Sequence, residues 1–171
     1  MPNYNILLAS CGECGKSTFT QLLLKSKFTY QGERRGTVVE FNRKIRNEMY
    51  TFTITETDEL PDSPYKDLPD AIWLMYNAHN TEQYDTVVEY ALNYRARSLI
   101  GYAPPMVVIA FVNLSCPLPS NQFTKDNILA TCNYEPYYED LLLDVIRSKM
   151  EFDATTTTDN ESSGSSSSNT M

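Results

Sequence analysis

A strand-like stretch, a glycine-containing loop and a helix-like stretch follow one another at the start of this chain. Residues 5–9 read Asn-Ile-Leu-Leu-Ala, residues 10–17 read Ser-Cys-Gly-Glu-Cys-Gly-Lys-Ser, and residues 18–24 read Thr-Phe-Thr-Gln-Leu-Leu-Leu. In this order the backbone N–H groups of the loop can surround a phosphate, and the helix N-terminus adds positive potential. The segment therefore predicts a phosphate-binding loop (P-loop), although the full pattern has Gly where this chain has Ser10.

Seven consecutive residues of this loop are the candidate nucleotide-binding residues: Gly12, Glu13, Cys14, Gly15, Lys16, Ser17 and Thr18. Lys16 is predicted to reach the β- and γ-phosphates, and the Ser17 hydroxyl is predicted to bind Mg²⁺. The alternative interpretation of Lys16 and Ser17 is an exposed helix start that holds no ligand.

Composition excludes several classes of function. The chain has 171 residues, a net charge of −8 and a pI near 4.6, which argue against nucleic-acid binding and against docking on an anionic membrane. It has no apolar run of about 18 residues, no basic or apolar signal at its start and four cysteines without framework spacing, so we expect a cytoplasmic protein.

Alternating patterns along the chain predict an α/β domain over residues 1–150. Residues 28–36 are predicted as a loop, residues 37–56 as a hairpin, and residues 151–171 as a disordered, acidic, Ser/Thr-rich tail. Further strands are expected at 71–76, 106–112 and 127–131, with helices at 81–98 and from 135 to about 150.

Over residues 3–150, this order of motifs resembles the Ras-like small GTPase family. Gly12-Glu13-Cys14-Gly15-Lys16-Ser17 is similar to the family P-loop, and Thr37 stands where the family has its switch I threonine before a strand. The strand that ends at Asn113 is similar to the one that leads into the base-recognition motif, and Thr131 and Cys132 fall at the last nucleotide loop.

The resemblance implies a Ras-like P-loop domain with a mostly parallel central sheet, one antiparallel hairpin and helices on both faces. It implies GTP or GDP and Mg²⁺ as cofactors, with Ser17 and Thr37 as metal ligands and with Asn113, Thr131 and Cys132 on the side of the base. It also implies a monomer that acts in signalling through effector or regulator proteins.

Departures from the family pattern put hydrolysis and base choice in question. The family has Asp-x-x-Gly followed by a water-orienting Gln; here either Glu56 or Asp58 stands at the Asp position, and neither the Gly nor the Gln is found. The Lys and Asp that follow Asn113 in the family are also missing, and no C-terminal Cys is present for a lipid anchor. We therefore expect weak or absent GTP hydrolysis and assign no catalytic residue. The alternatives are a non-hydrolysing interaction module and a P-loop phosphotransferase specific for another base.

The pair Cys11 and Cys14 suggests a rival function. A Cys-x-x-Cys at a strand-to-helix junction is typical of thioredoxin-like redox proteins. Gly15-Lys16-Ser17 is explained only by the P-loop, and no Trp precedes Cys11, so redox catalysis is the weaker hypothesis. A milder form is a Cys11–Cys14 disulfide that distorts the loop and blocks nucleotide.

Overall fold

The computed structural model describes residues 1–26, 29–61, 69–98, 104–112, 128–131 and 135–161. Seven strands and three helices lie in this part of the chain. In chain order they are β1 (Asn3–Ala9), α1 (Lys16–Lys25), β2 (Thr29–Arg35), β3 (Val38–Ile45), β4 (Glu48–Thr57), β5 (Ala71–Asn77), α2 (Thr81–Ser98), β6 (Met106–Val112), β7 (Ile128–Thr131) and α3 (Glu135–Glu161).

All seven strands form one sheet in the order β2-β3-β4-β1-β5-β6-β7. The central strand β1 is parallel to both of its neighbours, β4 and β5. Ala9 at the end of β1 pairs with Thr57 at the end of β4, and the Ser10 N–H donates to the Thr57 carbonyl at 3.2 Å. The segments that leave these two strands therefore emerge side by side, and ligand sites of parallel sheets lie at such carboxyl ends.

Hydrophobic side chains cover both faces of the sheet. Because side chains alternate along a strand, Ile6 and Leu8 join one core cluster while Ala9 joins the other. The first cluster includes Phe19 and Leu23 of α1 and the apolar stripe of α3, and the second includes Val87 of α2. Burial on both faces also explains the continuous apolar run of β5, whose residues 71–76 are all buried, as the sequence predicted.

The predicted hairpin is confirmed in β3 and β4. Ile45 pairs with Glu48, so Arg46 and Asn47 form a two-residue turn between antiparallel strands. Their φ angles of 51° and 70° are both left-handed, as a type I′ turn requires. This turn fixes the register of β3 against β4, which places Thr37 beside Glu56.

The predicted Ras-like architecture, with a mostly parallel sheet and one hairpin, was wrong. The sheet is mixed, because β2, β3 and β4 form a three-stranded antiparallel end, and the described residues form seven strands and three helices. The third strand of that end is β2, which falls on residues predicted as a loop. Its side chains are almost all exposed and polar, so it lacks the hydrophobic periodicity that identifies a strand. An edge strand needs only backbone pairing with β3, and its charges protect the edge.

The helices differ from the predictions mainly in their extent. α2 spans Thr81–Ser98 as predicted, and Asn80 caps it by accepting the Gln83 N–H at 3.1 Å. Leu92, an apolar residue of this helix, is 60% exposed. α3 continues to Glu161 beyond its expected end near Met150, since the first Gly or Pro after Pro136 is Gly164. The last ten residues of the predicted tail lie outside the described residues.

Candidate functional site

A polar cavity of about 650 Å³ lies where β1 and β4 end and α1 begins. This volume is within the usual range for small-molecule sites. The cavity is lined by Glu13, Cys14, Gly15, Lys16, Ser17, Thr18, Thr37, Glu56, Thr57, Asp58 and Glu59. Six of the seven predicted loop residues and the predicted metal ligand Thr37 thus face one space. Gly12 is not part of this lining, and its carbonyl accepts a hydrogen bond from Lys16.

Left-handed backbone at two glycines shapes the loop. Gly12 has φ 146° and Gly15 has φ 96°, both in the region that side-chain-bearing residues avoid. Gly15 is the N-cap of α1 and, having no side chain, leaves the first N–H groups of the helix without a side-chain cap. These N–H groups and the helix dipole favour an anion at the mouth of the cavity.

The Lys16 ammonium lies across the loop with three partners. Its Nζ donates to Ser10 Oγ at 2.5 Å, to the Gly12 carbonyl at 3.2 Å and to Asp58 Oδ1 at 2.6 Å. Ser10 is fully buried and in turn donates its hydroxyl to the Gly12 carbonyl at 2.5 Å. The residue that departs from the P-loop pattern therefore holds Lys16 and the loop together and does not enter the cavity.

Glu56, at the end of β4, meets the predicted metal ligand Ser17. The Ser17 hydroxyl donates to Glu56 Oε2 at 3.2 Å, so two oxygen ligands that suit Mg²⁺ lie side by side. Mg²⁺ usually takes one or two carboxylates, with phosphates and waters completing its shell, which this pair fits. Between Glu56 and Asp58, which the sequence left open, Glu56 is thus the one beside Ser17, and Asp58 is the one on Lys16.

Arg34 of β2 holds the other oxygen of the same carboxylate. Its Nη2 donates to Glu56 Oε1 at 3.0 Å, and Thr20 Oγ1 donates to the same oxygen. The Glu56 side chain is only 7% exposed, so these contacts compensate the burial of its charge. They also leave Oε2 directed at Ser17. The sequence could not identify Arg34, because it lies on the strand that was predicted as a loop.

Thr37 joins the site through its backbone. The Glu56 N–H donates to the Thr37 carbonyl at 2.8 Å, which places this exposed residue against the end of β4. Its role as a metal ligand stays a prediction. In the described part of the chain, no group of three or more His, Cys, Asp or Glu side chains could hold a metal ion.

Gln83 fastens the outer side of the loop to the sheet. Its Nε2 donates to the Glu13 carbonyl at 2.9 Å, and its Oε1 accepts the Asn77 N–H at 2.9 Å. Both ends of the amide are thereby used in positioning the loop. No local sequence signal identifies this contact, since Gln83 lies 70 residues from Glu13.

The predicted base-side residues are not brought to this site by the described structure. Asn113 and Cys132 lie outside the described residues. Thr131 ends β7, which is separated from β1 by β5 and β6 in the sheet. The described part of the chain also contains no helix long and apolar enough to cross a bilayer.

The two cysteines of the loop differ in environment. Cys14 is 5% exposed, and this burial raises the pKa of its thiol despite the nearby Lys16 ammonium. Cys11 is half-buried. Cys14 therefore lacks the lowered pKa and the access to solvent that a redox nucleophile needs.

Alkylation tests this difference. Because a raised pKa leaves less thiolate at neutral pH, we expect Cys14 to react with iodoacetamide at least about tenfold more slowly than Cys11 in the folded protein. Peptide mapping by mass spectrometry gives both rates, and urea should make them similar. Equal rates in the folded protein would contradict the buried position of Cys14.

Comparison with known proteins adds no family assignment. No protein-family model matches this chain, and no curated protein matches it significantly. Membership of the small GTPase family therefore stays a prediction from the order of motifs.

Proposed function

We propose that this protein binds a nucleotide through its phosphates and Mg²⁺ in the cavity at the start of α1. The observation that carries the proposal is one shared space that contains the Lys16 ammonium, the capless N-terminus of α1 and the Ser17–Glu56 oxygen pair. Lys16 and the N–H groups would hold phosphate oxygens, and Ser17 and Glu56 would hold Mg²⁺. When bound, Mg²⁺ supplies positive charge that offsets the phosphates and the cavity's carboxylates.

The charge of the cavity supports a metal-dependent mode of binding. Its lining carries four carboxylates, from Glu13, Glu56, Asp58 and Glu59, against the ammonium of Lys16, and Arg34 beside Glu56 adds one more positive charge. A phosphate chain without a cation would be repelled by this excess of negative charge. A divalent cation beside Glu56 removes that repulsion.

Guanine is the base that we propose, with GTP or GDP as the ligand. The support is the sequence resemblance at Asn113, Thr131 and Cys132. A role in signalling through effector or regulator proteins follows from the same resemblance, and a cytoplasmic location follows from the composition.

Hydrolysis in this proposal is weak or absent. Among the described residues that line the cavity, none is a Gln or His that could orient a water molecule. The nearby Gln83 uses its amide to fasten the loop. A turnover assay separates a slow GTPase, which releases phosphate, from a non-hydrolysing interaction module, which binds nucleotide and does not release it.

Titration with fluorescent GDP, GTP and ATP, in Mg²⁺ and in EDTA, tests the proposed function. We expect guanine-selective binding that weakens about tenfold or more in EDTA. Glu56→Gln keeps the shape of the side chain and removes its charge, so it should raise the Mg²⁺ concentration needed for half-maximal binding by about tenfold. Glu59→Gln removes an equal charge from a cavity residue that is not among the partners of Ser17, and should change this requirement less than about twofold.

Three results of this titration would contradict the proposal in whole or in part. Equal binding in Mg²⁺ and EDTA would contradict the metal-dependent mode, and equal affinity for ATP would contradict guanine selectivity. Absence of binding by every nucleotide would overturn the proposed function and favour the interaction module.

A further inference from the structure

We infer that Asp58 makes this cavity a site for diphosphates, because its carboxylate takes the place of a terminal phosphate on Lys16. The inference rests on the proposed function and names the ligand class of the same site. The Asp58 carboxylate and a terminal phosphoryl group are both anions that would use the same donor.

The three N–H donors of the Lys16 ammonium are already in use. An ammonium group has three N–H donors, and here Ser10 Oγ, the Gly12 carbonyl and Asp58 Oδ1 accept from Nζ. Lys16 is 7% exposed, so no further donor of this group extends into the cavity. A phosphate that binds Lys16 must therefore displace one of the three acceptors.

Burial decides which acceptor a phosphate would have to displace. Ser10 is fully buried and is bonded to the Gly12 carbonyl, so these two acceptors belong to the loop itself. Asp58 is 74% exposed and is the only one of the three that lines the cavity. The terminal phosphate of a longer chain therefore competes with Asp58.

The backbone keeps Asp58 at this place. Thr57 pairs with Ala9, and its carbonyl accepts the Ser10 N–H at 3.2 Å, so the next residue must start beside the loop. If its side chain rotates away from Lys16, the charge still lies on the rim, next to Glu59. A third phosphate therefore loses its lysine contact or meets a carboxylate, while the N–H groups at the start of α1 stay available to two phosphates.

The test compares affinities for two- and three-phosphate compounds. Unlabelled GDP, GTP, pyrophosphate and tripolyphosphate compete with fluorescent GDP in excess Mg²⁺. For the wild-type protein we expect GDP to bind about tenfold more tightly than GTP, with the base-free compounds in the same order. The base-free pair shows whether the selection depends on the phosphate chain alone.

Asp58→Asn should remove the preference. The amide keeps the size of the side chain but no longer competes as an anion, so GTP should bind about tenfold more tightly than to the wild type, relative to GDP. Glu59→Gln removes an equal charge from the same rim, but Glu59 is not a partner of Lys16, so it should strengthen both ligands alike. An unchanged thermal midpoint of Asp58→Asn confirms that the exposed substitution leaves the fold intact.

The outcomes separate this inference from the proposed function. If GDP and pyrophosphate bind but Asp58→Asn keeps the wild-type ratio of GTP to GDP affinity, only the inference about Asp58 is overturned. If Asp58→Asn weakens GTP, Asp58 instead supports the metal or the terminal phosphate, and the inference is again wrong. If no compound binds, the proposed function and the inference fail together.

Discussion

Lys16→Met is expected to weaken nucleotide binding by about 100-fold, measured by titration with a fluorescent GDP analogue in Mg²⁺. Loss of the ammonium removes the positive side chain among the residues that line the cavity and leaves the Asp58 carboxylate unpaired beside the phosphates, and a charge-assisted interaction of this kind contributes about 1.5–3 kcal/mol. Met has a similar length and fills the buried path of the side chain. The Gly12 carbonyl keeps its bond from Ser10, and the exposed Asp58 returns to solvent.

Folding should change little in this variant. We expect the free energy of unfolding to fall by less than about 2 kcal/mol, because the acceptors left by Lys16 are either bonded elsewhere or solvated. Lys25→Met, at the exposed end of the same helix, removes a charge away from the cavity and should bind GDP nearly as well as the wild type. Equal affinities for Lys16→Met and the wild type would show that phosphates do not bind at this loop.

The local part of the site could be predicted because consecutive residues form it. Backbone propensity and helix capping specify the geometry of a strand followed by a glycine-containing loop, Gly-Lys-Ser and a helix. Gly15, Lys16 and Ser17 lie where this pattern places them. The same holds for the hairpin, whose alternating β-rich strands are joined by a turn at Arg46 and Asn47.

The long-range part of the site could not be predicted, because register and edge pairing decide it. The sequence left Glu56 and Asp58 as equal candidates, and only the pairing of β4 with β1 separates their roles. Arg34 reaches Glu56 because β2 adds to the antiparallel end of the sheet. That strand pairs through its backbone and exposes its side chains, so periodicity gives no signal for it. The same missing strand made the architecture prediction wrong.

The antiparallel end thereby contributes to the candidate site as well as to the fold. Arg34 joins β2 to the Glu56 carboxylate and to the Ser17 carbonyl at 3.4 Å, so the edge strand and the start of α1 share one polar network. A buried carboxylate with one oxygen held by Arg34 has fewer orientations to lose on binding a metal. The edge strand is therefore part of what positions the proposed Mg²⁺ ligands.

Gly15→Ala is expected to destabilise the fold and the loop together. Gly15 has φ 96°, and an added Cβ would lie 2.8 Å from two ring carbons of Phe111. Phe111 packs against the core, and its backbone is held by the bond from the Ala78 N–H at 2.9 Å, so either its ring or the loop has to shift. Backbone strain and overpacking together should cost about 2–4 kcal/mol. For a chain of this size, the thermal midpoint should fall by about 5–15 °C.

Two further variants separate strain from contact in this result. Gly36→Ala introduces a side chain at a left-handed φ of 63° with nothing within 4 Å, so only strain remains and the cost should be about 1 kcal/mol. Adding Phe111→Leu to Gly15→Ala should recover part of the stability, because the smaller side chain makes room for the new methyl group. Thermal unfolding of the single and double variants measures this coupling. Purely additive effects would show that the loop shifts without pressing on the Phe111 ring of β6.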